Sequence, residues 1–145
     1  LHGYCELPMT VDLDGCEEEL RRLEVIEHES VYRENGNAIR HMQGIHEERS
    51  PVYTPFFLRY GKHPFLLENF IKPILRSREI YIHQSKINYK AAKKGLAWNW
   101  HQDYANYKPK DFLLKNIPVT YVVLLDDVDE DNGPLIVVPR PHHSI

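Results

Sequence analysis

Cysteine is scarce in these 145 residues: Cys5 and Cys16 are the only two. A single pair does not make a disulfide framework, and no Cys or His spacing around either thiol fits a zinc site. A reducing, cytoplasmic setting is the expectation. Long apolar runs are missing too. Nothing approaches the ~20 residues of a membrane span, and no charged-then-apolar stretch follows Leu1, so neither a membrane partner nor a leader is expected. No sign of charge dominates. The 18 Lys and Arg against 21 Asp and Glu give a net −3, which leaves no basic field to hold nucleic acid. No repeat, low-complexity tract or Gly/Ser linker divides the chain. With 42% hydrophobic and 27% charged residues, it reads as one globular domain.

The first half reads helical. Asp14 can cap a helix, Glu17 stands three residues on as in a capping box, and Leu20, Leu23 and Ile26 trace an apolar stripe to about Ser30. Asn35-Gly36-Asn37 marks a turn, and Arg40 to Pro55 reads as irregular. Pro64 suits the start of a second helix, with Phe65, Leu66, Phe70 and Ile71 on its apolar side until Pro73 interrupts it. From Glu79 the texture becomes that of strands: Ile80–Tyr89, Trp98–Tyr107, Val119–Leu125 and Leu135–Val138. Val119–Leu125 is apolar on both faces and is expected in the middle of a sheet. Between the last two strands, Asp126–Asp131 reads as a solvated turn closed by Asn132-Gly133-Pro134, since its spacing is not that of a calcium loop. Helices first and strands after argue for an α+β, mainly β fold.

The tripeptide His101-Gln102-Asp103 carries the clearest chemistry. On a strand, side chains at i and i+2 share a face, so His101 and Asp103 can meet one metal ion. An imidazole and a carboxylate are two-thirds of the facial triad of non-haem Fe(II) oxygenases. The plainer alternative for so short a motif is a His–Asp hydrogen bond on a strand surface. Gln84, Lys86 and Asn88 share one face of the first strand, and three polar side chains there need either water or something to bind.

Three ordered blocks carry a resemblance: Tyr81-Ile-His-Gln-Ser-Lys-Ile-Asn-Tyr-Lys90, Trp98-Asn-Trp-His-Gln-Asp-Tyr104 and Asn132-Gly-Pro-Leu-Ile-Val-Val-Pro139. Together they resemble the phytanoyl-CoA dioxygenase superfamily, nearest to its branch of ectoine hydroxylases and free-amino-acid (leucine-type) hydroxylases. The resemblance implies a double-stranded β-helix, a cupin-like jelly roll. Residues 1–78 would supply helical support and the substrate mouth, and residues 79–145 the first half of the barrel. It also implies Fe(II), 2-oxoglutarate and O2, with a small metabolite, an amino acid or its derivative, hydroxylated at an unactivated C–H as succinate and CO2 leave. His101 and Asp103 then fall on the iron ligands, and Gln84 and Asn88 on positions that hold 2-oxoglutarate. Arg40, Lys86 and Trp98 are candidates for the substrate side, with His46 near the mouth. Asp103 favours hydroxylation over halogenation, because halogenating relatives carry a small residue there. An inactive metal-binding or interaction member of the same fold is the alternative.

A complete site of this kind needs a second His and an Arg for the distal carboxylate. His142 and His143 stand in Pro139-Arg-Pro-His-His-Ser144, where relatives have a turn rather than a ligand, and Arg140 is a poor candidate for the carboxylate. Four strands are visible where a jelly roll has eight, and four more need on the order of 40 residues. The third ligand, and the C-terminal half of the barrel, are therefore expected beyond Ile145.

Overall fold

A computed structural model describes residues 3–93, 95–103 and 118–139 of the chain. Helix α1 (Leu13–Glu24) opens it, capped by Asp12, whose carboxylate accepts the Gly15 N–H. The cap thus lies two residues before Asp14, which instead adds negative charge to the first turn. The helix also stops at Glu24 rather than near Ser30. Cys16 and Leu23 on its inner side are buried, while Leu20 and Ile26 pack at the edge.

A hairpin follows, of β1 (Val31–Glu34) and β2 (Ala38–Gln43). Asn35-Gly36-Asn37 turns the chain as expected. Gly36 at φ 68° and Asn37 at φ 67° take the left-handed conformation these two residue types tolerate best. Of the stretch expected to be irregular, residues 44–54 are turns and loop as expected, while residues 40–43 lie within β2, which pairs antiparallel with β1 on one side and β3 (Lys86–Asn88) on the other. Its polar composition hid it, for only Met42 of the strand is buried. Tyr32 faces His41 and Arg33 faces Ile39, so Arg40 is an extra residue without a β1 partner, a bulge that re-aims its side chain. The β2–β3 pairing joins the sheet across the expected division at residue 78.

Beyond β2, Thr54 is fully buried and caps α2 (Pro55–Gly61), a helix without a clear apolar stripe in the sequence. Arg59 bridges back to Asp12 at 3.1 Å, and the Tyr60 hydroxyl accepts the Asp12 N–H at 3.0 Å, which pins α2 to the start of α1. Pro73 does not end the next helical stretch. α3 (Pro64–Leu66) widens into a π-helical turn at Leu67–Ile71 and resumes as α4 (Lys72–Leu75). The wider turn accommodates a residue with no N–H to give. Arg76, at φ 50°, closes it.

The core lies between the helices and one face of the sheet. Met42, Val31 and Ile87 sit in register across all three strands, facing Leu23, Cys16, Phe57 and Val52. Among the described residues of the expected strands, only Lys86–Asn88 of Ile80–Tyr89 pair. Residues 98–102, 119–125 and 135–138 run without a ladder partner among the described residues, Asp103 is helical rather than part of the expected strand, and Tyr104–Tyr107 lies outside those residues. Residues 119–125 still alternate: Tyr121, Val123 and Leu125 pack on the core, while Val122 and Leu124 are exposed. The acidic turn is exposed and closed by its own groups: the Asp129 carboxylate accepts the N–H groups of Asp131 and Asn132, and Asn132 donates to the Asp127 carbonyl. Among the described residues no helix is long and apolar enough to cross a membrane.

His41 supplies a pH test of this packing. It stacks on Tyr32 with ring centroids 4.3 Å apart, and its buried Nδ1 has no hydrogen-bond partner. Burial, aided by Lys86 and Arg40, pushes its pKa below the ordinary 6.5. The unfolded chain then binds more protons than the folded one, so stability holds above 6.5 and falls as pH drops below it. Urea midpoints at about pH 7.5 and about pH 5.5 should show this decline, and His41→Phe should flatten it. An equal decline in the variant would remove His41 from the account.

Candidate metal centre

His101 Nε2 and Asp103 Oδ1 stand 3.4 Å apart. Two ligands each about 2.1 Å from one ion and about 90° apart would be about 3.0 Å from each other; 3.4 Å corresponds to about 108°. The pair fits a shared ion with almost no movement. His101 Nδ1 lies 2.6 Å from the Asn99 carbonyl, which can only accept, so Nδ1 carries the proton and Nε2 keeps its lone pair. Asp103 Oδ2 accepts the Thr120 hydroxyl at 2.9 Å, leaving Oδ1 directed at the imidazole. Both side chains are a little under half exposed, enough for a ligand to approach. Each donor is thus oriented by one hydrogen bond on its far side, a common arrangement of metal-binding residues. Among the described residues no third His, Cys, Asp or Glu joins them. His142, His143 and Arg140 lie outside those residues.

The other candidates gather on the exposed face of the sheet. Asn88 is the direct neighbour of His41, and His41 of Tyr32, so the three form a row across the strands. Lys86, two residues before Asn88, shares its exposure, and Gln84 is exposed just ahead of the strand. Trp98 stands over this face, its ring centroid 5.8 Å from that of His41. The Arg40 guanidinium lies over the same indole, 4.0 Å from its centroid, and is paired with Glu34. Arg40 and Trp98 are therefore together, but the guanidinium is already engaged. His46 is elsewhere: its Nδ1 is 2.6 Å from the Ser85 hydroxyl, tying the loop after β2 to the approach of β3.

Sequence reasoning missed Asn99, Thr120 and Glu34. Asn99 acts through a backbone carbonyl, which leaves no side-chain signal. Thr120 was visible only as a polar break in an apolar stretch. Glu34 follows Arg33 next to a turn and resembles any surface charge.

The family model for phytanoyl-CoA dioxygenase (PhyH) matches residues 1–145. L-proline trans-4-hydroxylase of Streptomyces griseoviridis is 31% identical over 98% of this chain and 52% of its own length. Ectoine dioxygenase of Bordetella bronchiseptica is 34% identical over 80% of this chain and 35% of its own length. That of Halomonas elongata is 31% identical over 78% and 32%. The chain thus spans about half the length of the first of these relatives and about a third of the others. No solved structure matches. With a match along its whole length, the chain belongs to the phytanoyl-CoA dioxygenase family.

Proposed function

We propose that the chain carries part of the active site of an Fe(II)- and 2-oxoglutarate-dependent hydroxylase of a small metabolite. The observation that carries this reading is the His101–Asp103 pair, with its 3.4 Å donor separation and with both far-side atoms already hydrogen-bonded. His101 would bind iron through Nε2 and Asp103 through Oδ1, and a histidine from a late barrel strand would be the third ligand. Iron held there would supply the oxidising chemistry by which hydroxylation of a C–H bond is coupled to conversion of 2-oxoglutarate and O2 into succinate and CO2.

The remaining residues bind and orient. Gln84 and Asn88 hold 2-oxoglutarate by hydrogen bonds, and the Lys86 ammonium on the same face supports its charge. Trp98 forms a wall of the substrate mouth that excludes water. Val122 and Leu124, about half exposed on the same side of their segment as Thr120, offer an apolar surface of the kind a barrel interior uses. The architecture that unites these elements is the double-stranded β-helix of the family.

The relatives are named for L-proline and ectoine, a small amino acid and a small metabolite, so the proposed substrate is an amino acid or a derivative of one. The test is succinate release from 2-oxoglutarate in the presence of Fe(II), O2 and free L-proline or ectoine in turn. Release stimulated by one of them, with the hydroxylated product in equal amount, supports the reading. Iron binding without any turnover, coupled or uncoupled, would favour a metal-binding member that does not catalyse.

A further inference from the structure

The segment leading to His101 is held by a side-chain clamp on the hairpin. Glu34 ends β1, and its side chain is almost fully buried at 8% exposure. One of its oxygens accepts the Leu96 N–H at 2.9 Å, and the other pairs with Arg40. Arg40, the bulged residue of β2, covers Trp98 with its guanidinium and reaches the Ala97 carbonyl at 3.4 Å. Three consecutive residues, 96, 97 and 98, are thus gripped by two side chains of the hairpin. The Leu96 N–H and Arg40 together hold the Glu34 carboxyl below its ordinary pKa. On its other side, Trp98 meets His41.

We propose that Glu34 and Arg40 are positioning residues: through Leu96, Ala97 and Trp98 they fix the segment whose next residues, Asn99, His101 and Asp103, make the metal-binding pair. The inference rests on the metal reading above, but its first step, immobilisation of residues 96–98, does not. Among the described residues the run 95–103 has no ladder hydrogen bonds to set its path. Side-chain contacts hold it instead, among them the Lys90 ammonium, which donates to the Leu96 carbonyl at 3.1 Å. A carboxylate and a planar guanidinium suit this, since each can bind its partner and a second group at once. Arg40 is then spent on the wall of the mouth rather than on a substrate carboxylate.

Arg40→Met keeps the length and apolar stem of the side chain but loses pairing, the carbonyl contact and the cation. Arg40→Lys keeps the charge without the fork. Both are made in a Trp100→Phe background, which leaves Trp98 as the only indole, alongside Arg33→Met as a control. Arg33 is the other hairpin arginine and pairs with Glu27, away from residues 96–98. Two readouts are needed: acrylamide quenching of Trp98 in the metal-free protein, and Co(II) affinity followed by its visible absorption. Arg40→Met should raise Trp98 quenching and weaken Co(II) binding by about 10- to 100-fold, the range seen when residues that orient ligands are removed. Arg40→Lys should recover part of both, and Arg33→Met should change neither. Unchanged quenching in Arg40→Met would overturn the clamp, and raised quenching with unchanged Co(II) affinity would overturn its positioning role. If the unsubstituted protein binds no Co(II), the metal reading itself fails, and the positioning role with it, whatever Trp98 reports about the clamp.

Discussion

Asp103→Ala is expected to abolish Fe(II) binding and succinate release while leaving the unfolding midpoint nearly unchanged. The two halves of this expectation have separate grounds. Asp103 supplies one of the donors aimed at the shared position, and removing a ligand should weaken metal binding by more than the about 100-fold upper range for residues that only orient one. Its structural contribution is small. The side chain is 42% exposed and, among the described residues, its carboxylate accepts a hydrogen bond from Thr120 alone, so truncation should change stability by no more than about 0.5 kcal/mol. Isothermal titration with Fe(II) under nitrogen and a urea melt would check both. Activity surviving in Asp103→Ala would mean the ligand pair has been misassigned.

Met42→Ala should have the opposite profile, with a large loss of stability. Met42 has no exposed surface and sits between Val31 and Ile87 in the middle strand, where β1 and β3 are both paired to it. Truncation removes buried surface and leaves a cavity enclosed by Leu23, Phe57 and Val52, which a three-stranded sheet pinned on both sides cannot readily collapse. A loss of about 2–5 kcal/mol is expected, as for other large-to-alanine changes in a core. Since a domain's total stability is about 5–15 kcal/mol, the variant should melt far earlier or fail to fold at room temperature. Met42→Leu, close in volume, should lose less than about 1.5 kcal/mol. A loss as large in Met42→Leu would mean that something other than cavity formation sets the cost.

The candidate site was more legible in the sequence than the fold around it. His101 and Asp103 stand two residues apart and their donors come within 3.4 Å, although the expected strand does not join them, since Asp103 is already in helical conformation. The pair forms although residues 98–103 have no ladder hydrogen bonds among the described residues. The sheet was harder. β2 reads Ala-Ile-Arg-His-Met-Gln, and its one buried side chain carries too little periodicity to mark a strand. Arg40 and His41 cover apolar surface with stems and rings, which a binary polar/apolar pattern does not register. The bulge at Arg40 shifts the alternation further. The helix cap lies at Asp12 rather than Asp14 because both acids can cap, and contacts from Tyr60 and Arg59, 48 and 47 residues away in sequence, decide between them. Pro73 was read as a break because the widened π turn that tolerates it has no sequence signature. Glu34 and Arg40 show their use only when residues 96–98 are brought beside them.

The measurement that bears most directly on the account is an anaerobic titration of the protein with Fe(II) and 2-oxoglutarate, followed in the visible range. The account predicts a metal-to-ligand charge-transfer band that requires both components, saturates at one equivalent of iron, and is missing from Asp103→Ala. A folded protein that gives no such band would contradict it, leaving His101 and Asp103 as a hydrogen-bonded pair on the surface.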